Sequence, residues 1–523
     1  HMGDGDDTVT IGSASLAQQV STITLSGTVE DLYTVTVDGE EVTYRSQPND
    51  TLSDVRAGLV GAINAKAGTS ATVTASAGTT GEELVLTATS SGANEFALNS
   101  YTTDDQMNPA TAALPDGRFI TTWQSYNQDE PNSSYYNVYG QLHTADGTLI
   151  GDEFQVNTYS AYNQQDPAVT ALKNGDFIVT WESNYQDEGS SNSYYGVYGQ
   201  RYDSNGTAKG DEFQINTQTN YNQYESSIAA LDNGGFVVAW ETYSESNGTS
   251  YPDIHLQRYN AKGQTDGNEV KVNTESPTNT QQYDPSVTGL DGGGYVVTWH
   301  YSGNMKGQIY GPDGTAEGGT FDVDTSSSNY MPSVASLDGG GFVVTWQNQN
   351  AQDGGELYDV RGQIFDNSGA KVGTEFRANT HLEGYQSEPS VTGLIGSDAG
   401  FVVTWQSMPQ DGSGYGVYGQ LYDKGGNTVG DEFRVNTETA GDQGDPSVTA
   451  LDNGGFFVSW ESMGQDGDGK GIYGQQFDAA GNALKFTSSL EVSDITGSTH
   501  EAVRLFGIVE DGDSYTLTID GQD

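Results

Sequence analysis

A Gln-Asp pair follows five of the seven tryptophan phrases, ending at Asp129, Asp187, Asp353, Asp411 and Asp466, and a further acid, Asp468, follows the last. A second series of acids opens an apolar phrase such as DPAVTAL: Asp166, Glu225, Asp284, Glu388 and Asp445, with Asn108 and Met331 at the two remaining copies. A third follows a tryptophan directly, at Glu182, Glu241 and Glu461. Carboxylates held close raise one another's pKa or recruit a cation. Ca2+ takes about 6–8 oxygen ligands and is the natural ion for such a set. The candidate metal ligands are therefore Asp129, Asp187, Asp353, Asp411, Asp466 and Asp468, with Asp166, Glu182, Asp445 and Glu461 from the other two series. No stretch reproduces the EF-hand spacing. The plainer alternative is that Gln-Asp-Gly is turn chemistry and Asp-Pro opens a strand.

Tyrosines stand among the same polar residues. Tyr126, Tyr136, Tyr162, Tyr185, Tyr195, Tyr221 and Tyr283 lie beside Asn, Gln and Asp. An apolar ring face with amides and carboxylates nearby suits sugar hydroxyls, although Tyr, Asn and Ser also serve protein-binding loops, and packing is the plain role for any one ring. Catalysis is the weaker expectation. Glycoside hydrolysis asks for one pair of carboxyls with opposed proton demands, whereas these acids recur. The single irregular pair is Asp284 with His300, which stands where other copies have Glu or Gln after tryptophan. No nucleophile-elbow motif accompanies it. The sialidase Asp-box is not matched by phrases such as LDNGGFVVAW.

What must position these residues is a repeat. All seven tryptophans, Trp123, Trp181, Trp240, Trp299, Trp346, Trp405 and Trp460, share one phrase, spaced 58, 59, 59, 47, 59 and 55 residues apart. A full unit from Asp166 to Thr217 holds four β-rich runs: A (AVTAL), B (FIVTWE), C (YGVYGQRYD) and D (EFQINT). Short turns separate A from B and C from D, a hairpin signature. Seven such units predict an all-β chain, a seven-bladed β-propeller of four-stranded antiparallel blades. Tryptophan then packs blade against blade, and the glycine of Tyr-Gly-Gln in run C admits a close backbone approach or a bulge. The long B–C and D–A loops share one face, where ligand residues belong.

The seventh unit lacks its D phrase, which stands instead before the first as Glu95-Phe96-Ala97-Leu98-Asn99-Ser100. An N-terminal strand is thus expected to complete the last blade and close the ring. Residues 1–20 read as a cloning remnant (His1-Met2) and linker, 21–93 as a small α+β module of ββαββ order, 94–487 as the propeller, and 488–523 as the start of a second such module. In the 21–93 module, YTVTVDGEEVTY is a hairpin around Asp38-Gly39. Its helix is expected from Leu52 to Lys66, with Leu52, Val55, Leu59 and Ile63 on one face.

Composition narrows the classes further. The 523 residues include 72 acids and 19 bases, a formal net charge of −53, and no cysteine. Disulfides and thiolate zinc sites are excluded. So acidic a surface repels nucleic-acid phosphates. No apolar run approaches the ~20 residues of a membrane span, so membrane insertion is not expected. The abundance of aromatic and β-branched residues is unlike a disordered acidic tail.

The GGFVV…TWES…QDG…YGVYGQ…EFQVNT pattern resembles the repeats of very large secreted bacterial surface proteins of the RTX adhesin type, over roughly residues 94 to 487. Gly3-Asp4-Gly5-Asp6-Asp7-Thr8-Val9 is similar to one copy of their calcium nonapeptide. The resemblance implies export to the extracellular surface of a bacterium, calcium-aided folding, and adhesion or biofilm roles, but no matched ligand site. The leading expectation is a non-enzymatic, monomeric module that binds a surface glycan or polysaccharide, with Ca2+ as its ion. The alternatives are a structural spacer or a module for host or matrix proteins, and a polysaccharide-cleaving propeller enzyme.

Overall fold

The computed structural model describes residues 7–10, 20–23, 32–37, 40–45, 73–77, 83–88, 95–128, 135–145, 147–186, 194–246, 249–274, 280–324, 328–349, 358–396, 399–484, 503–506 and 514–518. The chain divides into two compact units. One comprises His1–Ser100, Asp146–Leu149 and Leu484–Asp523, the other Tyr101–Ala145 and Ile150–Ala483. The second unit is a seven-bladed β-propeller of four-stranded antiparallel blades, with no helix among its described residues.

Blade two shows the pattern. Strand A, Gln164–Ala171, pairs with B, Phe177–Asn184; B pairs with C, Tyr195–Tyr202; C pairs with the short D, Phe213–Gln214. The seventh blade takes A, B and C from this unit, as Gln443–Ala450, Phe456–Met463 and Lys470–Phe477. It lies against the first: Thr111 and Ser459 hydroxyls are 2.8 Å apart, and the Asn108 N–H donates to Glu461 Oε1 at 2.7 Å.

Why the units repeat is visible in their packing. Every tryptophan is fully buried and sits between blades: Trp181 packs with Ile120, Val138 and Leu142 of blade one, and Trp299 with Val237, Ile254 and Leu256 of blade three. On strand C, a Cβ added to Gly199 would lie 3.1 Å from Phe213 Cζ, and one on Gly419 would lie 2.8 Å from Phe433 Cζ. The glycine makes room for the strand-D phenylalanine ring to lie over the sheet. The strand-D asparagine then closes the edge. Val197 N–H donates to Asn216 Oδ1 at 2.8 Å, and Val417 N–H donates to Asn436 Oδ1 at 2.7 Å.

The first unit carries the expected hairpin, Leu32–Val37 with Glu40–Arg45, and a second pair, Val73–Ala77 with Glu83–Ala88. The helix expected over 52–66 lies outside the described residues. One strand, Asp7–Thr10, falls where a linker was expected and runs parallel to Leu32–Val37; another, Val20–Ile23, begins at the end of that segment. The tail also pairs within this unit: Val503–Phe506 with Val20–Ile23, and Ser514–Thr518 with Glu83–Ala88.

Candidate functional site

Strand A of every blade lines the central channel, around a cavity of about 520 Å3. The sequence placed the acids just before strand A, and this is corrected. They lie inside the strand, at a bulge, with the pairing register shifting between Gln165 and Ala168. The bulge residue takes a left-handed backbone in all seven blades: Asn108, Asp166, Glu225, Asp284, Met331, Glu388 and Asp445 have φ between 49° and 55°. A proline follows six of the seven, with Ser226 in blade three. Proline has no N–H to leave unpaired, so a bulge tolerates it where a ladder would not.

The glutamate after tryptophan lies near enough to these acids for the Asp166 charge to bear on Glu182, but its partner across the ladder is another residue. In register, Glu182 faces Gln165, not Asp166. Its Oε1 accepts the N–H of Glu225 in the next blade at 2.7 Å. The same bond joins each junction: Asp166 N–H to Gln124 Oε1 at 2.9 Å, Asp284 to Glu241 at 2.8 Å, Glu388 to Gln347 at 3.4 Å and Asp445 to Gln406 at 3.2 Å. Blade four, with histidine after its tryptophan, differs. His300 Nε2 accepts the N–H of Gly303, and Asp284 Oδ2 takes over the Met331 N–H at 3.3 Å. Asp284 and His300 thus each hold a backbone N–H.

This crowding raises the carboxyl pKa values. Burial, then the charges of Asp166 and Glu225, hold Glu182 well above the usual range. Burial, then Asp284 and Glu225, pushes Glu241 to about 8. Burial, then Asp445 and Asp284, brings Glu388 to about 8, and burial with Asp166 and Asp284 brings Glu225 to about 7. Burial also raises Asp166 and Asp284. Glu461 rises to about 7 through burial and Asp445, although Lys470 Nζ pairs with it. Burial lowers His300 to about 4.

The ligands expected for calcium separate into three groups. Asp166, Glu182, Asp445 and Glu461 belong to this channel crown, where the Glu182 and Glu461 carboxylates already accept backbone N–H groups. Asp411, Asp466 and Asp468 lie in the B–C loops of blades six and seven. Asp411 Oδ1 accepts the Ser413 N–H at 3.0 Å, and Asp466 Oδ1 accepts the Asp468 N–H at 3.4 Å. Asp129, Asp187 and Asp353 lie outside the described residues. Among the described residues, no group of three or more Asp, Glu or His side chains could hold a metal ion.

The glutamines of the Gln-Asp pairs have a structural use. Gln410 Nε2 donates to Glu432 Oε1 at 2.6 Å, and Gln186 donates to Glu212 in the same way. These strand-D glutamates also clasp the preceding blade: Glu432 Oε2 accepts the Thr380 N–H at 2.6 Å, and Glu212 Oε2 accepts the Thr158 N–H at 2.8 Å. Neither the clasp nor the ring of bulge N–H bonds was read from the sequence. The recurring Glu and Thr of EFQVNT and the recurring acid-Pro step were their signals.

The tyrosines gather on the same face as the crown. Tyr126 packs on Tyr136, with ring centroids 5.0 Å apart. Tyr162 packs on Tyr185 at 4.5 Å and on Tyr135 at 5.4 Å, while Tyr221 packs on Tyr194 at 5.7 Å. Tyr195 meets Tyr224 at 5.2 Å, and Tyr283 stacks on His300 at 5.7 Å. All seven expected tyrosines thus have an aromatic neighbour, and the rings form separate small groups instead of one pocket.

No protein-family model matches the chain, and no curated protein sequence matches it. Solved structures do resemble it. A protein of unknown function from Dyadobacter fermentans is 11% identical with a TM-score of 0.44, over 64% of this chain and 95% of that one. An alpha-L-arabinanase from Penicillium chrysogenum, complexed with arabinobiose, is 15% identical with a TM-score of 0.40, over 59% and 92%. The NanB sialidase of Streptococcus pneumoniae is 10% identical with a TM-score of 0.40, over 87% and 83%.

Proposed function

We propose that the propeller is a non-enzymatic glycan-binding module of a secreted bacterial surface protein of the RTX adhesin type, and that it binds through its long-loop face. The observation that carries this reading is the set of paired tyrosines on that face, among them Tyr185, which is 41% exposed. Paired rings flanked by Asn163 and Asn222 present apolar faces with polar groups at their edges, the combination that sugar rings require. The proposal extends to the ring itself. Glu95–Asn99 repeats the spacing of Glu212, Phe213 and Asn216, and all five residues are buried. That segment is proposed as strand D of the seventh blade, and the first unit as a stalk module.

A glycan array, run with Ca2+ and again with chelator, tests the reading and its calcium dependence together. Binding that falls on substitution of Tyr185 and Tyr221 supports it, and an array without any bound glycan under either condition overturns it. The second reading, a spacer or protein-interaction module, is favoured by the uptake of Gln186 and Gln410 into the clasps between strands. It predicts an empty array together with capture of a matrix protein in a pull-down.

A further inference from the structure

Two of the tyrosine pairs are copies of one another. Tyr135 and Tyr162 meet at 5.4 Å across the junction of blades one and two, and Tyr194 and Tyr221 meet at 5.7 Å across the junction of blades two and three. Each member lies 59 residues from its counterpart, one full repeat. In both copies the adjoining link supplies an asparagine whose Oδ1 accepts the first N–H of strand C: Asn163 for Tyr136 at 3.2 Å, Asn222 for Tyr195 at 3.0 Å.

The backbone beneath these rings argues against a packing role alone. Tyr185, which joins the first pair, has φ 62°, and Tyr221 has φ 68°. A bulky residue in the left-handed region is strained. Equivalent positions hold residues suited to it. Asn127 and Gly464 close their B–C loops as Tyr185 does, each N–H donating to the residue before strand C or its neighbour. Gly384 and Gly441 stand two residues before the first glutamine of strand A, as Tyr221 does. Local conformation alone favours glycine there, so what distinguishes the tyrosines is the ring.

We propose that these two junctions are tandem stacking subsites for a linear, non-acidic polysaccharide laid across blades one to three. The inference rests on the long-loop face being glycan-binding and adds where, and to what, it binds. Equivalent platforms one blade apart match a ligand that repeats along its length. A chain of formal net charge −53 repels uronate or sulfated polymers and leaves uncharged ones unopposed.

Titration calorimetry with cello-, manno- and chito-oligosaccharides from dimer to octamer tests this, with oligogalacturonate as the acidic control. At least one neutral series gains about tenfold or more in affinity as the chain grows long enough to engage both junctions. The variant Tyr185→Gly/Tyr221→Gly loses that gain while keeping the wild-type melting temperature to within a few degrees. Equal affinity for dimer and octamer, or an octamer bound equally well by the double variant, overturns the tandem subsites but leaves a glycan-binding face standing. Preference for oligogalacturonate overturns the stated ligand class. Absence of binding in every series, together with an empty glycan array, overturns both readings.

Discussion

The backbone N–H of Glu225 donates to Oε1 of Glu182 at 2.7 Å, across the junction of the second and third blades. Equivalent bonds cross the other junctions, made by the residue after the tryptophan except between blades four and five, where Asp284 takes that place. Three of those residues are carboxylates facing further acids, and the ring therefore carries a pH dependence.

Its sign follows from the direction of the shifts. Glu241 is pushed by burial from 4.5 to about 8, and Glu388 to about 8 by the same cause. An acid whose folded pKa lies above its unfolded value binds protons more tightly when folded. The stability it lends is complete below the unfolded value and is lost as pH rises through the folded one. The propeller is expected to melt highest near pH 4.5–5 and progressively lower up to pH 8. Glu241→Gln should flatten that profile and raise stability at pH 8 by about 2 kcal/mol. Thermal melts across this range check it, and a flat wild-type profile would count against the crown's raised pKa values.

Replacing Glu182 separates acceptor from charge. Gln124 and Gln406 already accept the equivalent N–H groups. Glu182→Gln should therefore keep the bond to Glu225 and be neutral or stabilising. Glu182→Ala leaves a partly buried N–H without its partner and should cost about 1 kcal/mol. Urea unfolding of the two variants distinguishes them, and equal losses would mean that the bond contributes nothing.

Gly419 is a site where one methyl group decides the packing. Its added Cβ would lie 2.8 Å from Phe433 Cζ, closer than real contacts allow. Gly419→Ala should destabilise by about 1–3 kcal/mol. Trimming the partner with Phe433→Leu in the same chain should recover part of that loss, giving a coupling energy in a double-mutant cycle.

Tyr221→Gly alone tests the strain argument independently of any ligand. Relief of the left-handed tyrosine offsets the lost ring contact with Tyr194 and the greater freedom of glycine when unfolded. Stability should stay within about 1 kcal/mol of wild type. A loss of several kcal/mol would mark the ring as a packing element.

Much of the architecture was legible in the chain. Seven tryptophan phrases imply seven blades because each sheet can bury its apolar face only against a neighbour, so the repeat count becomes the blade count. The Gly-Phe pairing of strands C and D was half legible, since Tyr-Gly-Gln marked a close approach without naming what approaches. The crown's residue types were legible as well, but its geometry was not.

Linear sequence determined that acids recur in three series along the repeat, that aromatic rings crowd the loops, and that neither disulfides nor thiolate metal sites are available. Only the tertiary structure decided that Asp166 sits in a bulge instead of before the strand, that Glu182 serves the following blade, and that Tyr135 meets Tyr162. The reason is the distance along the chain. Glu182 and Glu225 are 43 residues apart and Tyr135 and Tyr162 are 27 apart, and contacts that long are set by how one blade's sheet packs on the next. A period read from sequence places residues within a blade, whereas the angle between blades brings one blade's side chains to another's backbone.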